Sequence, residues 1–447
     1  VFLSGLNIYS IRNLQQVNSD CKSKNVQFVI PKRELVLRLH GRSIGHLKHV
    51  VAVFERLGYV LKDNDSNWDV IWSHEYPFQE LKADFLNLKP HQKVNHFPGS
   101  GYITNKVSLA TSDVAFIPKS FKIPDDKKKL TDFANRNPEA MFVQKSNSHR
   151  GIEVKKINSL DLVDSGSFVQ EYVKNPLLID GHKFDVGVYT ILTSIEPLRV
   201  YSYKGDALFR FCTEKYNPFD PTVLEKYVVG DDYLPIWEVP SLKNFYVNLG
   251  FSMKDSFDAY IQALGQDPER IWDQIDEAIA NVYLSKEPLL IKSASRFEYK
   301  HYFFEMVRFD FIITEDLKVL IMEANMSPNL SSAHYPQNAL LYEQVLFNLL
   351  SLVGVGSRTS GHVSSESSLK MNEMQVSLKN IAVEAEMCSK SICLDCLAPE
   401  CFVCKPCLTS EMMETLKRAY LEHENRLSCR RVFPPPIHKV REILLLC

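Results

Sequence analysis

The chain has 447 residues, of which 45% are hydrophobic and 24% are charged, and its formal net charge at pH 7 is −2. This length allows two or three domains with substantial cores, and the composition is typical of a globular protein. The near-neutral charge provides no basic field over the whole chain, so the sequence predicts no nucleic-acid partner. No apolar run reaches the roughly 20 residues that cross a bilayer.

Cysteine usage differs between the body of the chain and its end. Only Cys21 and Cys212 of the ten cysteines precede residue 380. Such sparse cysteine is typical of a reducing compartment, so we expect the body to belong to the cytoplasm. The chain begins at Val1, which leaves room for a signal sequence or membrane anchor upstream.

The first hundred residues predict an extension followed by a small α/β domain. Residues 1–33 have little pattern apart from Gln27–Ile30, and we interpret them as an extension. Glu34–His40 and Trp68–Ser73 have the composition of strands. A helix between them is predicted by an apolar stripe at three- and four-residue spacing, formed by Leu47, Val50, Val51, Phe54 and Leu57. This order favours an α/β domain over residues 34–103.

Polar residues mark turns and strand ends in the next part of the chain. His96 precedes an aromatic residue and a proline, a setting more typical of a packed turn residue than of a catalyst. Met141–Lys145 predicts a strand that ends in a lysine before a polar loop. Such a lysine can hold a phosphate, and a solvated lysine beside a turn is the equally simple alternative. Phe168–Val173 predicts a further strand.

Two longer helices are predicted in the second half. One has Asp267 as its N-cap and Pro268 at its first position, followed by the apolar positions Ile271, Ile275, Ile279 and Val282. The other covers Leu340–Leu352 and closes the body near Gly354.

Two β-rich runs between these helices predict an antiparallel hairpin. Met306–Thr314 and Val319–Asn325 flank a polar loop of four residues. A turn centred on this loop places Asp310 opposite Glu323. Most of the surrounding side chains are apolar, so we expect the hairpin to be buried.

The predicted register brings three oxygen donors together. It places Arg308 opposite Asn325, and opposed or alternate residues share one face of a sheet. The side chains of Asp310, Glu323 and Asn325 would therefore converge. Magnesium prefers oxygen ligands and shares them with substrate phosphates, and buried carboxylates need a partner or a cation. The sequence favours a magnesium site here over a hairpin with exposed polar ends.

The end of the chain carries a separate pattern. Residues 356–386 begin rich in Ser and Gly and predict a linker, and 387–447 form a Cys-rich tail. A charged helix is predicted over Met412–Leu427, and the prolines from Pro434 onward prevent its continuation.

Repeated Cys-x2-Cys pairs in the tail suit tetrahedral zinc. A disulfide knot is the alternative if the tail meets an oxidising compartment. Because the body contains few cysteines, the sequence favours zinc, with Cys393, Cys396, Cys401 and Cys404 as the candidate ligands.

The hairpin pattern FEMVRFDF…LIMEANMSPNL resembles the carboxy-terminal signature of the tubulin tyrosine ligase-like family. The motif is long and specific, and further motifs of this family follow in order over residues 34–354. The resemblance implies an ATP-grasp fold. It also implies that Asp310, Glu323 and Asn325 hold the magnesium ions on ATP.

The resemblance implies a set of nucleotide-binding residues as well. Lys106 and Lys145 match lysines on the phosphates, Arg150-Gly151 matches a phosphate-covering loop, and Gln170 and Glu171 match the hinge against the adenine. The full implied set is Lys106, Lys145, Gln170, Glu171, Lys183, Asp185 and Arg210, of which Lys183 and Arg210 are also implied to act in catalysis.

Three positions depart from the family pattern. Ser146 follows Lys145 where the family has proline. Gly187 stands where the family has an arginine, and glycine offers no grip on phosphate or carboxylate. Between Glu214 and Tyr246 there is no counterpart of the family's His-Leu-Thr-Asn motif.

The function implied by the resemblance is that of a tubulin polyglutamylase. Such an enzyme is an ATP-dependent ligase that adds free glutamate to tubulin tails through an acyl-phosphate intermediate, and works at the cytoskeleton on tubulin or microtubules. The alternative is a catalytically weak or inactive ATP-grasp protein that binds tubulin, which Gly187 and the missing motif favour.

The predicted domains are an extension (1–33), an amino-terminal α/β domain (34–103), a central ATP-grasp domain (104–175), a carboxy-terminal ATP-grasp domain (176–355), a linker (356–386) and a Cys-rich tail with a helix (387–447).

Overall fold

The computed structural model describes residues 34–41, 46–62, 67–146, 152–297, 300–356, 388–398, 401 and 404–435. The chain divides into two compact units, Val1–Leu35 and Val36–Cys447, and the sheets and helices belong to the second unit from Val36 onward. The predictions for the extension, for Arg150-Gly151 and for the linker beyond Gly356 fall outside the described residues.

The described strands run from the amino-terminal end to the tail. They are β1 Leu35–His40, β2 Tyr59–Leu61, β3 Val70–Ser73, β4 Lys93–Val94, β5 Ser120–Lys122, β6 Phe142–Ser146, β7 Val154–Lys155, β8 Ser167–Glu171, β9 Leu178–Ile179, β10 His182–Ile195, β11 Leu198–Tyr203, β12 Leu208–Phe211, β13 Leu234–Pro235, β14 Glu305–Ile313, β15 Val319–Met326 and β16 Cys429–Phe433.

The described α-helices lie between these strands and in the tail. They are α1 Lys48–Arg56, α2 Lys82–Leu86, α3 Gly101–Thr104, α4 Lys106–Ala110, α5 Lys127–Arg136, α6 Pro240–Lys243, α7 Met253–Ala263, α8 Glu269–Ala294, α9 Asn338–Leu352 and α10 Ser410–Glu424. A π-helical turn, Asn244–Asn248, joins α6 to the segment before α7. None of the helices within the described ranges has both the length and the apolar composition needed to cross a membrane.

The strands form three sheets. The first has the order β2-β1-β3-β4, with β1, β3 and β4 parallel. The second has the order β5-β8-β6-β7, with antiparallel pairs throughout. The third, eight-stranded sheet includes the order β13-β12-β10-β11-β16. The mixed α/β class predicted from the sequence is confirmed.

Strand β10 is the centre of the third sheet. Its first part pairs with β12, its last part pairs with β11, and β14 pairs along much of its length. Both faces of the strand are covered, so buried residues follow each other almost without interruption, as expected for a strand with no solvent face. Polar residues on β10 therefore lie inside the sheet region and need partners on neighbouring strands.

The boundaries of several predicted elements are close to the observed ones. Helix α8 begins at Glu269, one residue later than predicted, because Pro268 and not Asp267 is its N-cap. The Asp267 carboxylate still accepts the N–H of Glu269 at 3.0 Å. The helix extends to Ala294, well beyond the apolar pattern, and contains Pro288. The tail helix α10 is capped by the Thr409 hydroxyl.

Candidate active site

The hairpin of β14 and β15 has the predicted register. Asp310 pairs with Glu323 and Arg308 pairs with Asn325. The Asn325 Nδ2 donates to Asp310 Oδ2 at 2.9 Å and to Glu323 Oε1 at 3.1 Å. The three side chains therefore lie together as predicted, although Asn325 turns its amide nitrogen and not its oxygen toward the carboxylates; their roles stay predictions.

Asp310 is buried and held by two arginines. Arg308 Nε and NH2 donate to its two oxygens at 2.6 and 2.8 Å, and Arg210 NH2 donates to Oδ2 at 3.0 Å. Burial of Asp310 opposes ionisation, but Arg308 and Arg210 outweigh it and lower the pKa of this carboxyl below its usual value. Asp310 is therefore an ionised carboxylate held by two guanidinium groups.

Asp185 shares one of these arginines. It pairs with Arg210 across β10 and β12, and Arg210 Nε and NH2 donate to it at 2.9 and 2.8 Å. Burial, together with the charge of Asp310, raises the pKa of Asp185, and Arg210 opposes the rise. Arg210 is thus a bridge between the two carboxylates.

Gly187 lies on β10 directly opposite Asp310. A Cβ atom at this position would approach Arg308 Cδ to 3.0 Å and Asp310 Oδ1 to 3.2 Å. The space beside Gly187 is therefore filled by the side chain of Arg308, which comes from the neighbouring strand.

Two of the predicted lysines approach this cluster in different ways. Lys106 Nζ lies 3.5 Å from Glu323 Oε2. Lys145 donates to Gln170 Oε1 at 3.1 Å, and Gln170 in turn donates to the Ser120 hydroxyl at 3.1 Å. Burial lowers the pKa of Lys145 to about 8; the charge of Glu323 opposes the fall, and Lys183 and Lys106 add to it. Lys145 therefore lies within electrostatic range of the hairpin.

Lys183 and Glu171 make their contacts elsewhere. Lys183 Nζ donates to the carbonyl oxygen of Tyr227 at 2.6 Å, and burial lowers the pKa of this lysine. The N–H of Glu171 donates to the carbonyl of Lys119 at 2.8 Å, so this N–H already has an acceptor next to the second sheet. In this structure neither residue contacts Asp310 or Glu323 through a direct hydrogen bond.

His96 occupies a buried structural position. Its ring nitrogens lie 2.8 Å from Glu305 Oε1 and 3.0 Å from the carbonyl oxygen of Ser73. Glu305 also accepts the N–H of Phe97 at 2.9 Å. These contacts connect the first sheet to β14, which agrees with the prediction that His96 is a packed turn residue.

The donor set of the hairpin fits a cation that is shared with a ligand. Within the described ranges, no group of three or more His, Cys, Asp and Glu side chains could hold a metal ion by itself. The hairpin offers two carboxylates and one amide, and the Asn325 Nδ2 already places partial positive charge between the carboxylates. Magnesium needs only a few protein oxygens when phosphates complete its shell.

The predicted zinc site on Cys393, Cys396, Cys401 and Cys404 is wrong. Each of these sulfurs is bound to another sulfur, in the disulfides Cys388–Cys404, Cys393–Cys401 and Cys396–Cys407. A disulfide sulfur is not a thiolate and cannot act as the anionic ligand of zinc. The short spacer between the Cys pairs brings six sulfurs close together, and they bond in pairs. Cys212 and Cys429 are free and buried.

Arg308 is a site residue to which the sequence motifs assigned no role. A usable signal was present, because Arg308 and Asp310 are two residues apart on a predicted strand and so share a face. The position opposite Gly187 could not be predicted in the same way, since it depends on the pairing of β10 with a strand more than a hundred residues away.

Comparison with known proteins gives a consistent result. A family model described as "Tubulin-tyrosine ligase family" matches residues 85–361. The chain is 43% identical over 399 residues to "Probable tubulin polyglutamylase ttll-15" of Caenorhabditis elegans, which covers 87% of this chain and 78% of that protein. It is 28% identical over 317 residues to "Tubulin monoglutamylase TTLL4" of Mus musculus, covering 66% of this chain and 26% of that protein. With "Tubulin polyglutamylase TTLL6" of Mus musculus the identity is 27% over 318 residues, covering 66% of this chain and 37% of that protein.

Proposed function

The chain belongs to the tubulin-tyrosine ligase family, and from this premise we propose that it is an ATP-dependent ligase that adds glutamate to the acidic tails of tubulin. One observation carries the proposal. The side chains of Asp310, Glu323 and Asn325 meet at one point, next to fixed cations. Oxygen donors beside fixed cations suit a nucleoside triphosphate and its divalent ion. The names of the relatives support glutamate as the added amino acid.

The proposed reaction has two steps. The side-chain carboxylate of an acceptor glutamate attacks the terminal phosphorus of ATP, ADP leaves, and an acyl phosphate forms on the acceptor. The amine of free glutamate then attacks the acyl carbon, phosphate leaves, the amine loses a proton, and an isopeptide bond forms. Magnesium, when bound, would neutralise negative charge on the phosphoryl oxygens.

The hairpin residues hold the divalent ion in this proposal. Asp310 is ionised and held in place by its arginines, but its two oxygens already accept four hydrogen bonds, so a divalent ion would displace at least one of these donors. Glu323 is more accessible, with 32% of its side chain exposed, and faces Lys106. Asn325 lies between the two carboxylates. Because such charges are already fixed, they stabilise the charge that develops during the reaction with little reorganisation of the protein.

The remaining residues position the nucleotide and the acceptor. Lys106 and Lys145 provide ammonium groups for the phosphates, and Gln170 fixes the ammonium of Lys145. Arg210, which already spans two carboxylates, offers a planar fork for the terminal phosphate. Lys183 reaches the site only if it leaves the Tyr227 carbonyl, so we assign it a smaller role in binding.

A second candidate function is favoured by two departures from the family pattern. Gly187 lacks the arginine implied by the family resemblance, and the segment between Glu214 and Tyr246 lacks the His-Leu-Thr-Asn motif. A protein that keeps the fold and binds tubulin without ligating an amino acid would tolerate both changes. The two functions differ in one measurable property, the covalent transfer of glutamate.

The deciding experiment measures incorporation of radiolabelled glutamate into tubulin with Mg-ATP. The wild-type chain is compared with Glu323→Gln and with Glu315→Gln. Glu315 lies at the turn of the same hairpin, is exposed, and accepts from Asn175 at 3.0 Å, which makes it a matched control. We expect incorporation by the wild type and by Glu315→Gln, and a loss of about a hundredfold or more in Glu323→Gln.

Other outcomes overturn the proposal. A folded wild-type chain that binds Mg-ATP but transfers no glutamate would establish the binding function instead. Transfer that survives unchanged in Glu323→Gln would remove the hairpin from the site. Glycine and tyrosine tested in parallel show whether a ligase of different amino-acid preference is present.

A further inference from the structure

Gly187 is not demanded by its backbone conformation. It lies inside strand β10, whereas glycine with positive φ occurs at other positions of the chain. Glycine inside a strand costs stability and often marks the close approach of another group. The approaching group here is Arg308, whose Cδ and Nε would lie 3.0 and 3.3 Å from a Cβ at position 187.

The strand register explains how Arg308 reaches that space. Gly187 pairs with Asp310, and Tyr189 pairs with Arg308, across β10 and β14. The Arg308 side chain therefore runs diagonally over Gly187 toward the Asp310 carboxylate. Its guanidinium lies beside Gly187, the position at which the family resemblance implies an arginine.

Three positive side chains contact the carboxylates of the cluster directly, and Arg308 is one of them. Three carboxylates face each other there, those of Asp185, Asp310 and Glu323. Against them stand three cations, Arg210, Arg308 and Lys106. Removal of Arg308 would leave one positive charge fewer beside the expected phosphates, and the carboxylates repel phosphates.

Arg308 carries donors beyond those used by Asp310, and the hydroxyl of Tyr189 lies near its guanidinium. A guanidinium carries five N–H groups in a fixed fork. Nε and NH2 of Arg308 bind one carboxylate side-on, which directs NH1 away from that carboxylate. Only 8% of the side chain is exposed, so a ligand bound here would meet this charge with little screening by water.

We propose that Arg308 on β14 replaces the arginine missing at position 187 on β10, and that together with Arg210 it binds the terminal phosphate of ATP. This inference rests on the proposed function for the identity of the ligand. In this inference, Gly187 leaves the space that the Arg308 side chain occupies, so the residues at positions 187 and 308 depend on each other. The site is then complete without an arginine at position 187.

The test exchanges the two residues between the strands. Mg-ADP and a magnesium complex of a non-hydrolysable ATP analogue are titrated into five folded chains by calorimetry. The chains are wild type, Arg308→Gly, Arg308→Lys, Gly187→Arg and the double variant Gly187→Arg/Arg308→Gly. Urea unfolding of each chain, monitored in parallel, reports stability.

A contact with the terminal phosphate predicts a specific pattern. Arg308→Gly should weaken the ATP analogue about tenfold or more and ADP much less, because only the ATP analogue loses a charged hydrogen bond to its terminal phosphate. Gly187→Arg alone should also bind poorly, since its side chain overlaps that of Arg308. The double variant should regain most of the preference for the ATP analogue over ADP. Arg308→Lys should keep part of it.

Several results would overturn the inference. A purely structural role for Arg308 would weaken both nucleotides equally, and the double variant would then be no better than Arg308→Gly. If Arg308→Gly does not fold, Arg308→Lys and the double variant decide: unchanged preference for the ATP analogue in Arg308→Lys contradicts the inference. A wild type that binds the ATP analogue through Arg308 but ligates no glutamate would overturn the proposed function alone. A wild type that binds neither nucleotide would overturn both.

Discussion

Glu422 of the tail helix and Arg199 of the third sheet form a buried, two-point ion pair. Arg199 Nε and NH2 donate to the two oxygens of Glu422 at 2.8 and 2.9 Å. Tyr201 and Thr193 also donate to Glu422, at 3.0 and 3.1 Å. Burial opposes the charge of Arg199, but Glu422 outweighs it and raises the pKa of the guanidinium. The tail is therefore joined to the body through a charged contact inside the protein.

Removal of the Glu422 charge should destabilise the folded chain strongly. Glu422→Gln leaves Arg199 buried without its counter-ion, which costs about 3 kcal/mol or more of unfolding free energy. Urea unfolding measures the change. The control Glu414→Gln on the same helix removes an exposed partner of Arg418 and should change stability by about 0.5 kcal/mol or less. Equal effects of the two variants would contradict this account.

The hairpin could be predicted from local sequence, and the tail contact could not. A short polar loop between two β-rich runs fixes the strand register, and this was enough to place Asp310 opposite Glu323. Arg199 and Glu422 are separated by 223 residues, and neither residue has a local pattern that points to the other. Strand β16 contains adjacent arginines and is followed by prolines, so its sequence resembles an exposed segment more than a sheet strand. Long-range pairing decides such cases.

The six paired tail cysteines should be found as disulfides in the purified protein. Peptide mapping without reductant should recover the pairs Cys388–Cys404, Cys393–Cys401 and Cys396–Cys407. Elemental analysis should find no stoichiometric zinc. One zinc ion per chain, with free thiols at these positions, would contradict the structure.

The free cysteines of the described residues provide an internal control for that mapping. Cys212 and Cys429 are buried, and burial raises the pKa of each thiol to about 12. Because the thiolate is the reactive form, an alkylating reagent at neutral pH should label neither residue until the chain is unfolded.

Affinity for Mg-ATP should fall as pH rises through about 8. Lys145 has its pKa lowered to about 8 by burial, with Lys183 and Lys106 adding to the shift against the opposing charge of Glu323. The protonated ammonium binds phosphate below that pH, and the neutral amine above it does not. Calorimetric titration between about pH 7 and pH 9.5 measures the fall. Lys145→Arg, whose guanidinium stays charged over this range, should show a smaller fall. An identical fall in both chains would exclude Lys145 as its source.

Lys106 should contribute to nucleotide binding more than to stability. Its ammonium faces Glu323 at 3.5 Å with 24% of the side chain exposed, so Lys106→Ala leaves no deeply buried charge unpaired. We expect Mg-ATP affinity to drop about tenfold and the unfolding free energy to change by about 1 kcal/mol or less. Lys129→Ala, which removes an exposed lysine paired with Asp126, should change neither quantity. Normal nucleotide affinity in Lys106→Ala would contradict its placement at the phosphates.

Strand β16 covers the backbone edge of β11 and thereby protects it from other chains. The pairing runs from Val200 with Phe433 to Tyr203 with Cys429. The family match ends at residue 361, before this strand. A protein shortened to the matched region would expose the N–H and C=O groups of β11, and an unpaired edge is a template for a strand of another molecule. The shortened protein should therefore self-associate even where its nucleotide site is intact, because the residues that cover the edge of β11 lie outside those matched by the family model.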